Sequence, residues 1–164
     1  MALLAAAARG EVPVGAVLVR DGVIIGRGWH RRAGGPHAEV DAIANAREDA
    51  GDEAVRASDL YVTLEPCSTT GRTPPCVEAI LEAGIRRVYV GSVDPNPLHA
   101  GAGLEVLRGA GVEVATGLRE EETDELIRFF RSRVVRGRPW VIAKSAMTLD
   151  GRTTLSPGEG PWIS

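Results

Sequence analysis

Residues 14–29 have the sequence VGAVLVRDGVIIGRGW, and this stretch decides how the fold begins. Two runs rich in β-branched residues, 14–19 and 23–29, flank the short segment Arg20-Asp21-Gly22. An Asp-Gly pair between two such runs is a strong signal for a β-hairpin. The sequence therefore predicts that the sheet starts with two antiparallel strands.

Helices and strands are predicted to alternate after this hairpin. The spacing of apolar residues and the glycine stops predict helices at 37–47, 76–83, 104–109 and 120–135, and strands at 60–64, 86–93 and 112–117. Such alternation leads to right-handed crossovers and a largely parallel sheet covered by helices on both faces. We therefore expect an α/β fold of three α-β-α layers, in which a mixed, mostly parallel sheet carries the antiparallel hairpin at its N-terminal end.

The two ends of the chain differ from this pattern. The alanine-rich residues 1–9 predict a short helix that stops at Gly10. Beyond Gly137, the sequence RPWVIAKSAMTLDGRTT predicts a new apolar strand over residues 140–147 with no helix after it to pack on it. We therefore expect one domain over residues 1–138 and a separate C-terminal tail over residues 139–164.

Composition narrows the classes of function. The chain has 164 residues of which 44% are hydrophobic, enough to bury the core of one domain. Its net charge of −3 provides no basic field, so nucleic acid is not an expected partner. No segment approaches the roughly 20 apolar residues that a bilayer span needs, and we expect a cytoplasmic protein without a membrane partner. The two cysteines could form a disulfide or remain free for a metal, and their number does not decide between these.

Two motifs carry the residues that point to chemistry, GGPHAEV at 34–40 and EPCSTTGRTPPC at 65–76. Zinc favours tetrahedral sites of imidazole and thiolate, and a catalytic zinc keeps three protein ligands and a fourth position for water. His37, Cys67 and Cys76 match that ligand count. Glu39, two residues after His37, is predicted to lie beside the metal as a proton shuttle. The order H-x-E and then P-C-x(n)-C is the pattern of zinc deaminases, which remove an exocyclic amino group from a ring.

The spacing of the second motif departs from the usual form of that pattern. Eight residues separate its two cysteines where two are usual, and Gly71, Pro74 and Pro75 allow the insertion to fold back as a loop. The alternative is a surface histidine with two buried core thiols, which is the ordinary fate of such residues taken singly. The combination of all of these residues in register favours the zinc site.

Around these motifs the sequence resembles the cytidine deaminase superfamily, and CSTTGRTPPC resembles the deaminase domain of the bifunctional riboflavin biosynthesis deaminase/reductase family. YVTLEPC, EAGIRRVYVG and DPNPLHAGAG resemble that family too, so that the resemblance runs from residue 14 to residue 138. It implies a cytidine-deaminase-like fold and a zinc deaminase domain over residues 1–138. The tail segments KSAMTLDGRTT and GEGPWIS resemble the start of the family's reductase domain, which binds NADPH. Only the first strand of that domain falls within the chain, so no NADPH binding is expected.

The resemblance also implies a reaction and further site residues. The reaction is zinc-dependent hydrolytic deamination of diaminohydroxyphosphoribosylaminopyrimidine, a small phosphoribosyl pyrimidine, in riboflavin biosynthesis. Active sites in this superfamily are often completed across subunits, which implies a homo-oligomer. The residues that the resemblance places around the substrate are His30, Arg72, Asp94 and Asn96. A guanidinium in a glycine-proline loop suits a ribose phosphate, although Arg72 could be an ordinary solvated arginine, and Asp94 and Asn96 could be turn residues.

Two departures from the family leave the substrate open. Glu11-Val12-Pro13 stands where the family commonly has an asparagine-proline pair, and Thr69 stands where it has a histidine. GEVPVGAVLV instead resembles the transfer-RNA adenosine deaminases and the cytosine and guanine deaminases. The alternative function is therefore deamination of another nucleobase, nucleoside or transfer-RNA base. A structural zinc module or a redox-sensitive cysteine pair is the non-enzymatic alternative.

Overall fold

A computed structural model describes residues 10–149 and 151–152 of the chain. The helix predicted for residues 1–9 lies outside the described residues. Within the described part of the chain, no helix has both the length and the apolar character that crossing a membrane requires.

The described residues form one five-stranded sheet and six helices. The strands are β1 (Gly15–Arg20), β2 (Val23–Trp29), β3 (Asp59–Leu64), β4 (Arg87–Ser92) and β5 (Glu113–Thr116). The helices are α1 (Ala38–Ala50), α2 (Asp52–Val55), α3 (Cys76–Glu82), α4 (Ala102–Gly109), α5 (Glu120–Leu126) and α6 (Arg128–Arg136). The predicted elements over residues 14–117 are therefore confirmed, with boundaries that move by one to three residues.

The sheet has the strand order β2-β1-β3-β4-β5. β1 pairs antiparallel with both β2 and β3, whereas β3–β4 and β4–β5 are parallel pairs. β1 therefore runs against the other strands, and the expected mixed, mostly parallel sheet with an N-terminal hairpin is confirmed. The hairpin turn places Asp21 at φ 51 and Gly22 at φ 79, the backbone that a tight turn between strands requires.

Helices cover both faces of the sheet, as expected for three layers. Side chains alternate between the faces along a strand, and Val88 and Val90 belong to the core cluster that also contains the buried alanines of α1. On the other face, a Cβ at Gly91 would collide with Thr123 of α5. The Thr123 hydroxyl also lies 2.7 Å from the Ser92 hydroxyl in a buried hydrogen bond. α5 therefore packs on β4 opposite α1.

Two glycines of β2 bring α1 into backbone contact with the sheet. A Cβ at Gly28 would lie well under 3.0 Å from backbone atoms of Ala38 and Ala42, and one at Gly26 would collide with Ala42 and Ala46. Only glycine permits such an approach, because any larger side chain would push the helix away. The N-terminal end of α1, where Glu39 lies, is therefore held directly on β2.

Two sequence predictions in the C-terminal part are wrong. The single helix expected over residues 120–135 is two helices, α5 and α6, separated at Ile127 (φ −97, ψ 11), which is 1% exposed. No glycine or proline marks this break, so an amphipathic pattern cannot reveal it. The strand expected over residues 140–147 does not form, and Val141 and Ile142 are 80% and 67% exposed. A strand needs a neighbour to pair its backbone groups, and none of the described strands pairs with this segment.

Candidate active site

The three predicted metal ligands come from three segments that meet at one edge of the sheet. His37 immediately precedes α1, Cys67 follows β3, and Cys76 is the first residue of α3. The Cys67 carbonyl accepts a hydrogen bond from the Val77 N–H at 3.2 Å, which joins the loop to the start of α3. Pro75 enters α3 at φ −62, a backbone angle suited to the approach to a helix. The local structure thus directs all three side chains toward one point.

The geometry of these side chains fits a tetrahedral zinc ion. His37 Nδ1 lies 3.1 Å from Cys76 Sγ and 3.5 Å from Cys67 Sγ. The three ligand atoms all lie within 4.8 Å of one another. Zinc bonds of about 2.3 Å to sulfur and 2.0–2.1 Å to nitrogen, at tetrahedral angles, separate N from S by about 3.5 Å. The residues present therefore match the requirements of this metal.

Outer contacts support the ligands. His37 Nε2, the ring nitrogen that faces away from the sulfurs, lies 3.4 Å from the Thr73 hydroxyl. A metal-binding histidine usually has such a partner, which fixes the orientation of its ring. The Cys76 backbone N–H donates to Cys67 Sγ at 3.3 Å, a contact that favours the thiolate. Loop 68–75 thus contributes to the site through Thr73 as well as through the cysteines at its two ends.

The pKa values of the two cysteine thiols favour a bound cation in the site. Contact with Cys76, with His37 contributing further, lowers the pKa of Cys67 to about 4. Contact with Cys67, burial and the nearby Glu39 together raise the pKa of Cys76 far above its ordinary value. A second thiolate is therefore unfavourable beside the first in the absence of positive charge. A divalent cation between the sulfurs removes that repulsion, because a coordinating thiol is deprotonated by its metal.

Glu39 lies beside the ligand group and is not part of it. Its side chain is 3% exposed, and burial is the largest of the effects that raise its pKa to about 7. A carboxyl group with a pKa near neutrality can both accept and release a proton under physiological conditions. The structure thus places an acid with suitable properties at the position where the sequence predicted one.

Two adjoining cavities lie next to these residues. The inner cavity, of about 200 Å³, is lined by Val12, Val14, His30, His37, Ala38, Glu39, Leu64, Glu65, Cys67, Asp94 and Phe130. The outer cavity, of about 320 Å³, is lined by loops 30–37, 65–73 and 94–99, with Arg72 and His99 among its residues. Both cavities are lined by the same five residues, His30, His37, Glu65, Cys67 and Asp94. The arrangement offers a buried space at Glu39 that continues into a wider mouth.

The four predicted substrate residues take different positions. His30 and Asp94 line both cavities, and burial raises the pKa of Asp94. Arg72 lines the outer cavity and is exposed. Asn96 lines neither of these cavities. Its backbone N–H donates to Asp94 Oδ1 at 2.8 Å, and its side-chain oxygen accepts the Leu98 N–H at 3.1 Å, so Asn96 builds the turn that presents Asp94.

Two residues that the sequence pattern does not mark as functional, Glu65 and His99, also shape the pocket. The buried carboxylate of Glu65 accepts backbone N–H groups of Asp94 at 3.1 Å, Gly101 at 2.9 Å and Gly103 at 3.0 Å. It thereby holds loop 94–103 against the metal loop. His99 lies in that loop and lines the outer cavity. The only signal for Glu65 was its position between a buried strand and Cys67.

Glu11, noted in the sequence as a departure from the family, contacts the other side of the pocket. Its Oε1 accepts the Ala33 N–H at 2.7 Å, and its Oε2 lies 3.4 Å from His30 Nε2. The segment at residues 11–13 therefore reaches the loop that carries His30. The His30 ring in turn packs edge to face on the His37 ring, with centroids 5.5 Å apart, so this segment supports the pocket wall next to one candidate ligand.

Comparison with known proteins agrees with this geometry. Residues 1–92 match the model of the family described as the cytidine and deoxycytidylate deaminase zinc-binding region. The chain is 49% identical over 151 residues to the riboflavin biosynthesis protein RibD of Aquifex aeolicus, a match that covers 92% of this chain and 41% of that protein. The chain thus spans less than half the length of this relative.

Solved structures give the same result. The chain is similar to a diaminohydroxyphosphoribosylaminopyrimidine deaminase/5-amino-6-(5-phosphoribosylamino)uracil reductase from Thermotoga maritima, with 48% identity and a TM-score of 0.85 over 93% of this chain and 43% of that chain. It is also similar to a transfer-RNA A34 deaminase, with 37% identity and a TM-score of 0.61 over 76% of this chain and 92% of that one. The matched family region covers more than half of the chain and includes His37, Glu39, Cys67 and Cys76. The chain therefore belongs to the cytidine and deoxycytidylate deaminase family of zinc-binding deaminases.

Proposed function

We propose that this chain deaminates diaminohydroxyphosphoribosylaminopyrimidine by zinc-dependent hydrolysis, as a step of riboflavin biosynthesis. The observation that carries the chemistry is the convergence of one imidazole and two sulfurs within 4.8 Å, beside a buried carboxyl group and a cavity. The substrate is suggested by the similarity to the Thermotoga protein, whose name states that activity.

In this proposal His37, Cys67 and Cys76 hold a zinc ion. When bound, zinc supplies the Lewis acidity that activates water for attack on an amine-bearing ring carbon. Glu39 accepts the proton that the attacking water loses and delivers it to the adjacent ring nitrogen. Deprotonated again, Glu39 takes the second proton from the added hydroxyl group and passes it to the amine, which leaves as ammonia while the ring carbon becomes a carbonyl carbon. The pKa of about 7 at Glu39 suits both directions of proton transfer.

The remaining pocket residues would hold the substrate. We propose that Arg72, at the exposed edge of the outer cavity, binds the ribose phosphate, because a guanidinium pairs with phosphate oxygens in a bidentate manner. His30 and Asp94, which line both cavities, would contact the ring and the ribose. Asn96 would act through the Asp94 carboxylate that its backbone N–H contacts.

Substitution of Glu39 tests the enzymatic reading. Glu39→Gln keeps the size of the side chain and removes the proton shuttle, so we expect stoichiometric zinc and a loss of turnover of about 10²- to 10⁴-fold. Zinc is measured by metal analysis and turnover by ammonia release from the phosphoribosyl diaminopyrimidine. Glu48→Gln, at an exposed position of the same helix, is the control and should retain full activity. Full turnover in Glu39→Gln would contradict the proposal and favour a structural zinc module.

A second candidate is deamination of a base that carries no ribose phosphate, or of a transfer-RNA base. The similarity of Glu11-Val12-Pro13 and its flanks to those deaminases favours it, whereas the net charge of −3 speaks against a nucleic-acid substrate. Arg72→Ala separates the two candidates. Loss of one charge-assisted contact should raise KM about 10- to 100-fold for the phosphorylated substrate and leave its dephosphorylated form unaffected. Equal effects on both forms would favour the second candidate.

Further proposals concern the whole chain. We propose that residues 1–138 form the deaminase domain, that the protein is cytoplasmic, and that it forms a homo-oligomer, as the superfamily resemblance implies. Light scattering of the purified chain would test the oligomer. The absence of NADPH binding stays a prediction, which saturable nicotinamide fluorescence on titration would contradict.

A further inference from the structure

The inner cavity has an apolar wall as well as a catalytic one. Glu39, His37, Cys67 and Asp94 contribute its polar groups, while Val12, Val14, Leu64 and Phe130 contribute apolar surface. Among the described residues that line this cavity, Phe130 is the one that comes from α6. An aromatic side chain therefore reaches the buried space next to Glu39 from a separate helix.

The reacting ring has to occupy this cavity. A proton shuttle must come within about 2.6–3.2 Å of the atoms that exchange its proton. Glu39 is 3% exposed and lines the inner cavity, whereas it does not line the outer one. The heterocycle must consequently enter the inner cavity. The side chains that line this cavity then contact the faces and edges of the ring.

A third space, the rear cavity, lies behind the apolar wall. It has a volume of about 470 Å³ and is lined by Gly10, Glu11, Val12, Pro13, Leu126, Phe129, Phe130, Arg133 and Val134. Val12 and Phe130 line the inner and the rear cavities alike. These two side chains are therefore the partition between a small space at Glu39 and a larger one behind it.

The joint between α5 and α6 holds Phe130 in this position. Buried Ile127 anchors the joint in the protein interior, with 1% of its surface exposed. Arg131 Nη1 donates to Asp124 Oδ2 at 2.6 Å across the joint, and the Ser132 hydroxyl donates to the Arg138 carbonyl at 3.2 Å. The direction of α6 is thus set on both sides of Phe130.

We infer that Phe130 is a specificity-determining residue of the proposed deaminase: its ring forms the apolar face against which the substrate heterocycle packs, and with Val12 it closes the pocket to larger rings. This inference rests on the proposed function and adds a residue from α6 to it. Packing of a base on an aromatic side chain depends on flat apolar contact and little on the identity of the base. The partition then supplies the selection by size.

The chain offers a matched control on the same helix. Phe129 is 42% exposed, packs edge to face on Trp140 with ring centroids 6.3 Å apart, and lines only the rear one of the three cavities described. Phe130→Leu and Phe129→Leu remove the same atoms from adjacent positions. Because contact with an apolar wall is equal in the ground state and the transition state, loss of Phe130 should raise KM with little change in kcat.

The experiment uses three measurements on zinc-loaded wild type, Phe130→Leu and Phe129→Leu. The first is the binding of 2,4-diaminopyrimidine, a single-ring probe, by calorimetric titration. We expect Phe130→Leu to weaken it about 5- to 100-fold and Phe129→Leu to leave it unchanged. The second is KM and kcat for the phosphoribosyl substrate. The third is ammonia release from guanine relative to that substrate, which should rise at least about tenfold in Phe130→Leu as the partition opens.

The outcomes separate this inference from the proposed function. If wild type releases no ammonia from any substrate, the proposed function fails, and the binding titration still decides the role of Phe130. Equal affinities in the two leucine variants would overturn the inference even in an active enzyme. Circular dichroism and zinc content show whether each variant folds, and Phe130→Tyr, which keeps the ring, should restore single-ring binding. Failure of that restoration would likewise overturn it.

Discussion

Backbone contact between β2 and α1 predicts that a single methyl group added at Gly28 disturbs catalysis. A Cβ at Gly28 would lie well under 3.0 Å from the Ala38 carbonyl oxygen and the Ala42 nitrogen, and ordinary contact begins at 3.4 Å. Neither atom can rotate away, because both belong to the helix backbone. α1 must therefore retreat from the sheet by about 1 Å in Gly28→Ala. Glu39 directly follows the displaced Ala38 residue, and misplacement of a catalytic group by about 1 Å costs about 10²-fold in rate.

The same collision should also destabilise the fold. A matching substitution at Gly26 shows how much of the activity loss comes from destabilisation alone. Overpacking of this kind typically lowers the free energy of unfolding by about 1–3 kcal/mol. Gly26→Ala makes a similar collision with Ala42 and Ala46, farther along α1 from Glu39. We expect comparable stability losses in both variants but a clearly larger loss of kcat/KM in Gly28→Ala. Urea denaturation and ammonia release below the unfolding range measure the two effects. Equal activity losses, or two variants as stable as wild type, would refute this account of how α1 is held.

Two further predictions concern groups around the sheet and the metal site. The pKa of Asp59 is held below its ordinary value, and the hydrogen bond from the Arg87 guanidinium is the largest cause. The Asp59 carboxylate therefore stabilises the fold above its unfolded pKa of about 3.9. This stabilisation is lost as the pH falls through the lower pKa of the folded state. Asp59→Asn should lower the free energy of unfolding at pH 7 by about 0.5–1.5 kcal/mol, because the arginine partners are partly exposed to solvent. The difference from wild type in denaturation curves should shrink as the pH falls below about 3.9, and a difference that stays constant there would contradict this. Thr73→Val removes the partner of His37 Nε2 and should weaken zinc binding about 10- to 100-fold in competition with a chelator, whereas unchanged affinity would exclude that contact as a support of the ligand.

Local chemistry explains what the sequence predicted well. The turn at Asp21 and Gly22 needs two residues that accept positive φ. Aspartate and glycine are residue types that do so, and the turn can therefore be predicted from the sequence. His37, Cys67 and Cys76 were recognisable as candidate ligands because that combination of side chains has few other common roles. Each of these inferences depends on residues that are close together in the sequence or on an unusual choice of residue type.

Contacts between distant segments explain what the sequence did not predict. Glu65 accepts backbone N–H groups up to 38 residues away, and a buried carboxylate with that role is indistinguishable in the sequence from a surface acid. Ile127 continues an amphipathic pattern and yet separates two helices, because its burial in the interior outweighs the local preference. Phe130 becomes a pocket residue only through the resulting direction of α6. Sequence periodicity shows which face of a helix is apolar, but the cavity that this face lines depends on the tertiary fold.

The candidate catalytic residues and the walls of the pocket belong to different parts of this structure. His37, Glu39 and Cys76 lie at the N-terminal ends of helices that pack on the core, and Gly28 holds one of those helices directly on the sheet. The walls of the pocket come largely from loops 30–37, 65–73 and 94–99 and from Phe130 of α6. Glu11 contacts the first of these loops. The His30 ring of that loop packs edge to face on the His37 ring with centroids 5.5 Å apart, so the loop also touches one candidate metal ligand. We therefore expect a change at residues 11–13 to affect the pocket wall first and the candidate metal ligands only through His30.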